Sequence, residues 1–356
     1  MSKIYSESGY INWDYLYSEC RFIMAVTGSR GTGKTYGLLK YVMEHDIQFL
    51  YLRRLKSQLD ECVADAKSNP FAKINQDTGS DVRVERRSGK VRFTVPRERP
   101  ECYPPAQGLT VGPEEPDPSA RRVIGYGAAL STMATIRGAD FSAVNCIVFD
   151  EYIAMKGERP IPSEARAFKN LIETVNRNRE LDGQPPVKIF MLGNANKLMN
   201  PYYLDWHFMK TALRMIRGGQ MVYRTPNNNR IMIMLLKSPI SERKKETALY
   251  QDADDSFFGM AIENAFETDQ TTIKAYKLTD CRHIVSIGSI GIYQTKSDGK
   301  HYISETTNKT NYFPENEINL KLFQTRYAGL KTLYLYGYCV FENYDCELLF
   351  REYIGL

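Results

Sequence analysis

The chain has 356 residues, 43% of them apolar and 25% charged, a length that suits two domains and a composition that excludes a disordered or fibrous polymer. No apolar run approaches the roughly 18 residues of a membrane span, and the start, MSKIYSESGY, has no signal-peptide pattern, so the protein is expected in the cytoplasm. Seven scattered cysteines without a C-x-x-C pair favour free thiols over disulfides or zinc, and a net charge of +5 is too small to define a partner.

In chain order, the first informative stretch is Val26 to Tyr41, VTGSRGTGKTYGLLKY, directly after the apolar run RFIMAV. Gly28, four residues and then Gly33-Lys34-Thr35 satisfy the full phosphate-loop pattern between a strand and a helix. Such a loop, here Gly28, Ser29, Arg30, Gly31, Thr32 and Gly33, curls so that successive N–H groups face the β- and γ-phosphates of ATP. Lys34 adds a charge there, and the Thr35 hydroxyl suits magnesium. The runs QFLYLRR, VNCIVFD and VKIFMLGN read as further strands buried on both faces, which predicts a mostly parallel sheet covered by helices. DVRVERRSGKVRFTV reads as a hairpin turning at Ser88-Gly89, and the Pro-rich stretch from 96 to 120 as an exposed loop. PSEARAFKNLIETVNRNRE reads as a helix before the last core strand, and Asn200-Pro201 as a turn after it.

Past Trp206 the pattern changes. HFMKTALRMIRGG reads as a basic helix, TPNNNR as a turn and IMIMLL as a strand. From Lys210 to Glu246 nine Lys or Arg stand against two Glu, whereas Thr247 to Leu356 carries ten basic and fifteen acidic residues. The division read from this is an ATPase domain, 1–208, a basic linker, 209–246, and a smaller α/β domain, 247–356. In the last, HIVSIGSIGIYQT is read as one strand of a hairpin turning at SDGK. The basic block is either a solvated connector or a segment that touches a polyanion. Arg243, Lys244 and Lys245 of SERKK are its candidate contacts with nucleic acid or a docking surface, and Arg83, Arg86 and Arg87 of the hairpin stand next.

The catalytic candidates lie at strand ends. Asp150 and Glu151 close NCIVFDE, where ligands sit in open α/β sheets. Asp150 would hold the magnesium hydration shell and Glu151 would activate the attacking water. Asn194 ends the next strand and suits the γ-phosphate or the lytic water, although an Asn that merely caps a turn fits nearly as well. Asn196 is the second choice. Of the basic clusters, Arg53, Arg54 and Lys56 follow the second strand, with Arg53 assigned to the nucleotide. Arg177 and Arg179 sit at a helix end. A ring-forming ATPase needs an arginine supplied to a neighbour's site; Arg177 is the first candidate and Arg137 of TIRGADF the second.

The ordered set GSRGTGKTYG, FLYLRRLK, CIVFDEYI, TVNRNRE, LGNANKLMNPYY and SERKK resembles the DNA-packaging ATPases of phi29-like tailed phages, small relatives of the large terminases within the ASCE class of P-loop ATPases. The resemblance covers most of the first 250 residues, and the C-terminal third matches only loosely. It implies a ring, a homopentamer, at the portal of an empty capsid in the host cytoplasm, pumping double-stranded DNA inward as ATP is hydrolysed, and absent from the mature virion. The family's lysine, aspartate, glutamate and trans-acting arginine fall on Lys34, Asp150, Glu151 and Arg177. The second domain would resemble an RNase H fold that has lost nuclease activity and docks to the portal or a packaging RNA. The stretch HIVSIGSIGIYQT has no Asp or Glu for a two-metal nuclease, while Asp298 and Glu305 lie outside it. Two alternatives stand beside this reading: a terminase with an active nuclease, and a nucleotide-switched nucleic-acid-binding protein, against which Glu151 argues.

Overall fold

The computed structural model describes residues 3–97, 121–135, 141–155, 158–159, 161–195, 200–235, 238–244, 247 and 273–356. The chain divides into two compact units, Met1–Glu267 and Thr268–Leu356.

Among the described residues the first unit is built on a nine-stranded sheet. Its strands in chain order are β1 (Ile23–Gly28), β2 (Phe49–Arg53), β3 (Arg83–Arg87), β4 (Lys90–Pro96), β5 (Arg121–Ala129), β6 (Cys146–Asp150), β7 (Lys188–Asn194), β8 (Val222–Arg224) and β9 (Arg230–Leu235). Across the sheet they run β3-β4-β5-β2-β6-β7-β1-β9-β8. The middle strands, β5 through β9 in that order, are all parallel, with an antiparallel hairpin at one margin and β8 antiparallel at the other. Every residue of β1 and β6 is buried, as a parallel strand covered on both faces requires. Among the described residues the helices are α1 (Trp13–Glu19), α2 (Lys34–Glu44), α3 (Lys56–Ala64), α4 (Ala72–Thr78), α5 (Glu164–Asn176), α6 (Pro201–Asp205), α7 (Met209–Gly218) and α8 (Pro239–Lys244). On α5 the apolar stripe Ala165, Phe168, Leu171 and Val175 is buried at helical spacing. Phe49, Phe71 and Phe93 pack together with ring centroids 5.3 to 5.7 Å apart.

Three sequence expectations change here. The segment 209–246 is not a linker: β9 pairs in parallel with the phosphate-loop strand β1, Val26 level with Ile233, and β8 pairs with β9. The division between the units falls far beyond residue 208. The physical reason lies in IMIML, a continuous apolar run that only a sheet interior can bury. The charges around it are also used within the fold, since Arg224 pairs with Glu19, Arg230 lies over the Trp206 ring at 5.3 Å and Arg243 donates to the Ser8 carbonyl. Second, Arg121–Ala129, to which the sequence reading assigns no element, is β5, which joins the hairpin to β2. Third, Asn200-Pro201 starts α6: the Asn200 side chain accepts from the N–H groups of Tyr202 and Tyr203 at 3.2 and 3.1 Å. The Pro-rich stretch lies, from residue 98 on, outside the described residues.

The second unit has a five-stranded sheet of β10 (Cys281–Ile287), β11 (Ile290–Thr295), β12 (His301–Ser304), β13 (Tyr312–Phe313) and β14 (Cys339–Phe341). The first three form an antiparallel meander; β13 lies parallel to β10 at one edge and β14 parallel to β12 at the other. The stretch read as a single strand is two strands, because Gly288, at φ +54°, turns the chain between Ile287 and Ile290. Helices α9 (Glu317–Arg326), α10 (Gly329–Leu335) and α11 (Tyr344–Tyr353) contribute Phe323, Leu330 and Phe350 to its core. Six cysteines among the described residues are free thiols, all buried. Among the described residues no helix is long and apolar enough to cross a membrane.

Candidate nucleotide site

The phosphate loop leaves β1 at Gly28 and enters α2 at Lys34 through Gly33, whose φ of +84° only glycine adopts without strain. The loop is braced from behind by the N-terminal segment. The Ile11 N–H donates to the Thr32 carbonyl at 3.3 Å and the Trp13 indole to the Gly33 carbonyl at 3.1 Å. Within the loop the Lys34 ammonium donates to the carbonyls of Gly28 and Ser29 at 3.0 and 2.6 Å, and the Thr32 hydroxyl to Ser29 at 3.2 Å. Arg30 and Gly31 form the exposed crest.

The strand order brings the candidate carboxylates to this loop. β7 separates β1 from β6, with Asn194 level with Gly28 and Asp150 level with Leu192, so Asn194 stands between the loop and the acidic pair. Asp150, 6% exposed, accepts from the Thr35 hydroxyl at 2.6 Å, from the Tyr51 hydroxyl at 2.8 Å and from Arg53 at 2.9 Å. The other arm of the Arg53 guanidinium reaches Glu151 at 2.6 Å. Burial opposes the Arg53 charge, but the Asp150 and Glu151 carboxylates outweigh it and raise its pKa. Burial first, and then the Asp150 charge, pushes the Tyr51 phenol far above its ordinary value, which keeps it a hydrogen-bond donor. Glu151 itself adopts a φ of +52°, a strained conformation for a residue with a side chain, of the kind that clusters at working sites. Among the described residues no three His, Cys, Asp or Glu converge as a metal cage. A hydroxyl and a carboxylate oxygen 2.6 Å apart beside a phosphate loop nevertheless fit magnesium, which takes few protein oxygens and completes its shell with water and phosphate.

Two buried networks support the site, and neither was visible as a motif. The hydroxyls of Thr27, Tyr152 and Tyr203 close a triangle of 2.7, 3.0 and 2.9 Å, tying the C-terminal end of β1 to the residue after Glu151 and to α6. Arg54, 1% exposed, makes a two-armed bond to Glu164 at 2.7 and 2.9 Å and also pairs with Glu158. Tyr202 donates to the same Glu164 at 2.9 Å. The neighbours Arg53 and Arg54 thus serve opposite sides of the strand end, one toward the nucleotide carboxylates and one toward α5. The signal available in the sequence was the tyrosine excess of DEY and NPYY, since a buried tyrosine needs a partner for its hydroxyl.

Arg177 is brought elsewhere. It ends α5 with φ +41°, exposed, its Nε donating to the Thr174 carbonyl at 3.2 Å. α5 starts at the nucleotide edge with Glu164 and runs 13 residues, about 20 Å at 1.5 Å per residue, toward the opposite edge of the sheet. There Arg179 holds the Val144 carbonyl at 2.8 Å and Asn145 at 2.6 Å, a structural anchor. Arg243 is described, but the Lys244 side chain is not, and Lys245, Arg137 and Asn196 lie outside the described residues.

A phosphate loop, two carboxylates at the tip of β6 and an asparagine between them, on a mostly parallel sheet, define a P-loop protein of the ATPase type. The chain matches the podovirus DNA encapsidation protein (Gp16) family over residues 5–91 and 120–322, and it belongs to that family. It is 24% identical over 358 residues to the DNA packaging protein of Bacillus phage phi29, covering 95% of this chain and 94% of that one. With the DNA packaging protein of Bacillus phage B103 it shares 24% over 275 residues, 75% of this chain and 71% of the other. The fold is that of solved packaging motors: the phi-28 gp11 DNA packaging motor, with a TM-score of 0.57 at 19% identity over 99% of both chains, and the bacteriophage phi-29 genome packaging motor assembly, with 0.55 at 20% identity over 97% and 99%.

Proposed function

We propose that the chain is the motor subunit that hydrolyses ATP to drive double-stranded DNA into a preformed capsid. The observation that carries the reading is the convergence of Thr35, Asp150 and Arg53 beside the phosphate loop, in a member of the DNA encapsidation family. Lys34 and the loop N–H groups bind the phosphates; Thr35 and Asp150 are the residues that would hold magnesium, which would draw charge from the phosphate oxygens. Glu151 accepts the proton of the attacking water, a role for which it must leave Arg53, and Asn194 orients that water or the γ-phosphate. Arg177 stands about a helix length from its own site and serves a neighbour's, as a ring of subunits allows. The ring is a homopentamer that works in the host cytoplasm on the procapsid portal, leaves before the virion matures, and docks through the second unit to the portal or a packaging RNA. That unit, an RNase H-like module, does not cut DNA, since β10 and β11 contain no Asp or Glu, Asp298 bonds Thr295 and Tyr276, and Glu305 bonds Asn343.

The test is packaging itself: procapsids, ATP and purified protein should render linear DNA resistant to nuclease, and Glu151→Gln should bind ATP yet turn over at least about 10²-fold more slowly. Packaging that survives in Glu151→Gln, or hydrolysis at the normal rate, refutes the assignment.

A further inference from the structure

The β3–β4 hairpin rises from the same edge of the sheet as the nucleotide site. Val91 of β4 is level with Gly127 of β5, and Gly127 with Tyr51, the residue whose hydroxyl holds Asp150. β2 and β5 end two residues further on, so residues 87–90 stand at that rim. Ser88 and Gly89, at φ +51° and +75°, make the two-residue turn whose twist matches a hairpin. It places Arg87 directly opposite Lys90, both exposed. Like charges facing each other across strands are destabilising. Among the described residues no carboxylate pairs with either, whereas Arg83 is taken by Asp81 and Arg86 by Asp60. Protection of an edge strand explains charge along β3, but either sign serves that purpose. A single sign at the last pair before the turn asks for a polyanion.

The hairpin is also tied to the nucleotide site. α3 begins two residues after Arg54; its Asp60 holds Arg86, and its Leu59 packs where Gly127 lacks a side chain, since a Cβ there would lie 3.0 Å from Leu59 and 2.7 Å from Val91. The hairpin thus rests on the helix that continues from Arg53, the residue bonded to both Asp150 and Glu151.

We propose that the hairpin tip, Arg87 with Lys90, is a phosphate grip on duplex DNA whose position is set by the nucleotide site through α3. This rests on the DNA-translocating reading and names the place of contact. The experiment measures the affinity of the full-length protein for a duplex of arbitrary sequence at several salt concentrations, in the wild type and in Arg87→Ala/Lys90→Ala. Two lost phosphate contacts should flatten the log-log salt slope by about 1.8, at about 0.9 per phosphate. ATP affinity should not change, and the thermal midpoint should hold or rise because the repulsive pair is gone. Arg87→Lys should keep the wild-type slope. An unchanged slope in a double variant that still binds duplex overturns the grip and leaves the motor reading intact. A wild-type protein whose duplex affinity does not depend on salt removes both.

Discussion

Replacing Arg54 by alanine leaves the Glu164 carboxylate, 4% exposed, without its cation and with the Tyr202 hydroxyl as its remaining side-chain donor. Burial opposes the Arg54 charge, but the Glu164 hydrogen bonds and charge, followed by Glu158, outweigh it and raise its pKa. Arg54 is therefore held in its charged form, and removing one partner of a buried pair costs about 3–5 kcal/mol. At about 3 °C per kcal/mol for a unit of this size, the unfolding midpoint should fall by about 10 °C. The assay is convenient, since the chain's two tryptophans, Trp13 and Trp206, are both buried in the first unit and their fluorescence follows that unit. A compensated variant, Arg54→Met with Glu164→Leu and Tyr202→Phe, removes the charges and hydroxyl together and should recover most of the loss, because well-packed apolar groups replace buried ion pairs at little cost. If Arg54→Ala lies within about 1 kcal/mol of wild type, the pair does not hold β2 to α5 and the reasoning fails.

Mixing Arg177→Ala with Lys34→Ala subunits should restore hydrolysis above the sum of the two parents, because an intact loop then meets an intact arginine; assembled mixtures that stay inactive refute the trans role. Manganese or magnesium should leave supercoiled DNA uncut on agarose gels, and cleavage abolished at Asp298 or Glu305 would restore the nuclease alternative. Burial pushes the thiols of Cys20, Cys339 and Cys346 up to about 12 from 9.0. A raised folded pKa gives stability that is complete below the unfolded value and lost as pH climbs toward the folded one. Denaturant midpoints should therefore fall between pH 9 and 12, and replacing these residues by alanine should reduce that fall; an unchanged pH profile contradicts it.

The sequence by itself determined the local chemistry: a glycine-rich loop between strand and helix, Asp150-Glu151 closing an apolar run, a hairpin at Ser88-Gly89 and a helix ending at Arg177. Each depends on backbone conformation or side-chain period within a few residues, so nearest neighbours suffice to specify it. Only the tertiary structure decided that the run at 231–235 completes the sheet beside the phosphate-loop strand, because its partner β1 lies some two hundred residues away and no charge count reveals a pairing. Only there do Arg53 and Arg54 part company. Successive residues of a strand face opposite sides, so the sequence shows two adjacent arginines, while the packing around β2 makes one a partner of the nucleotide carboxylates and the other a buried anchor of α5.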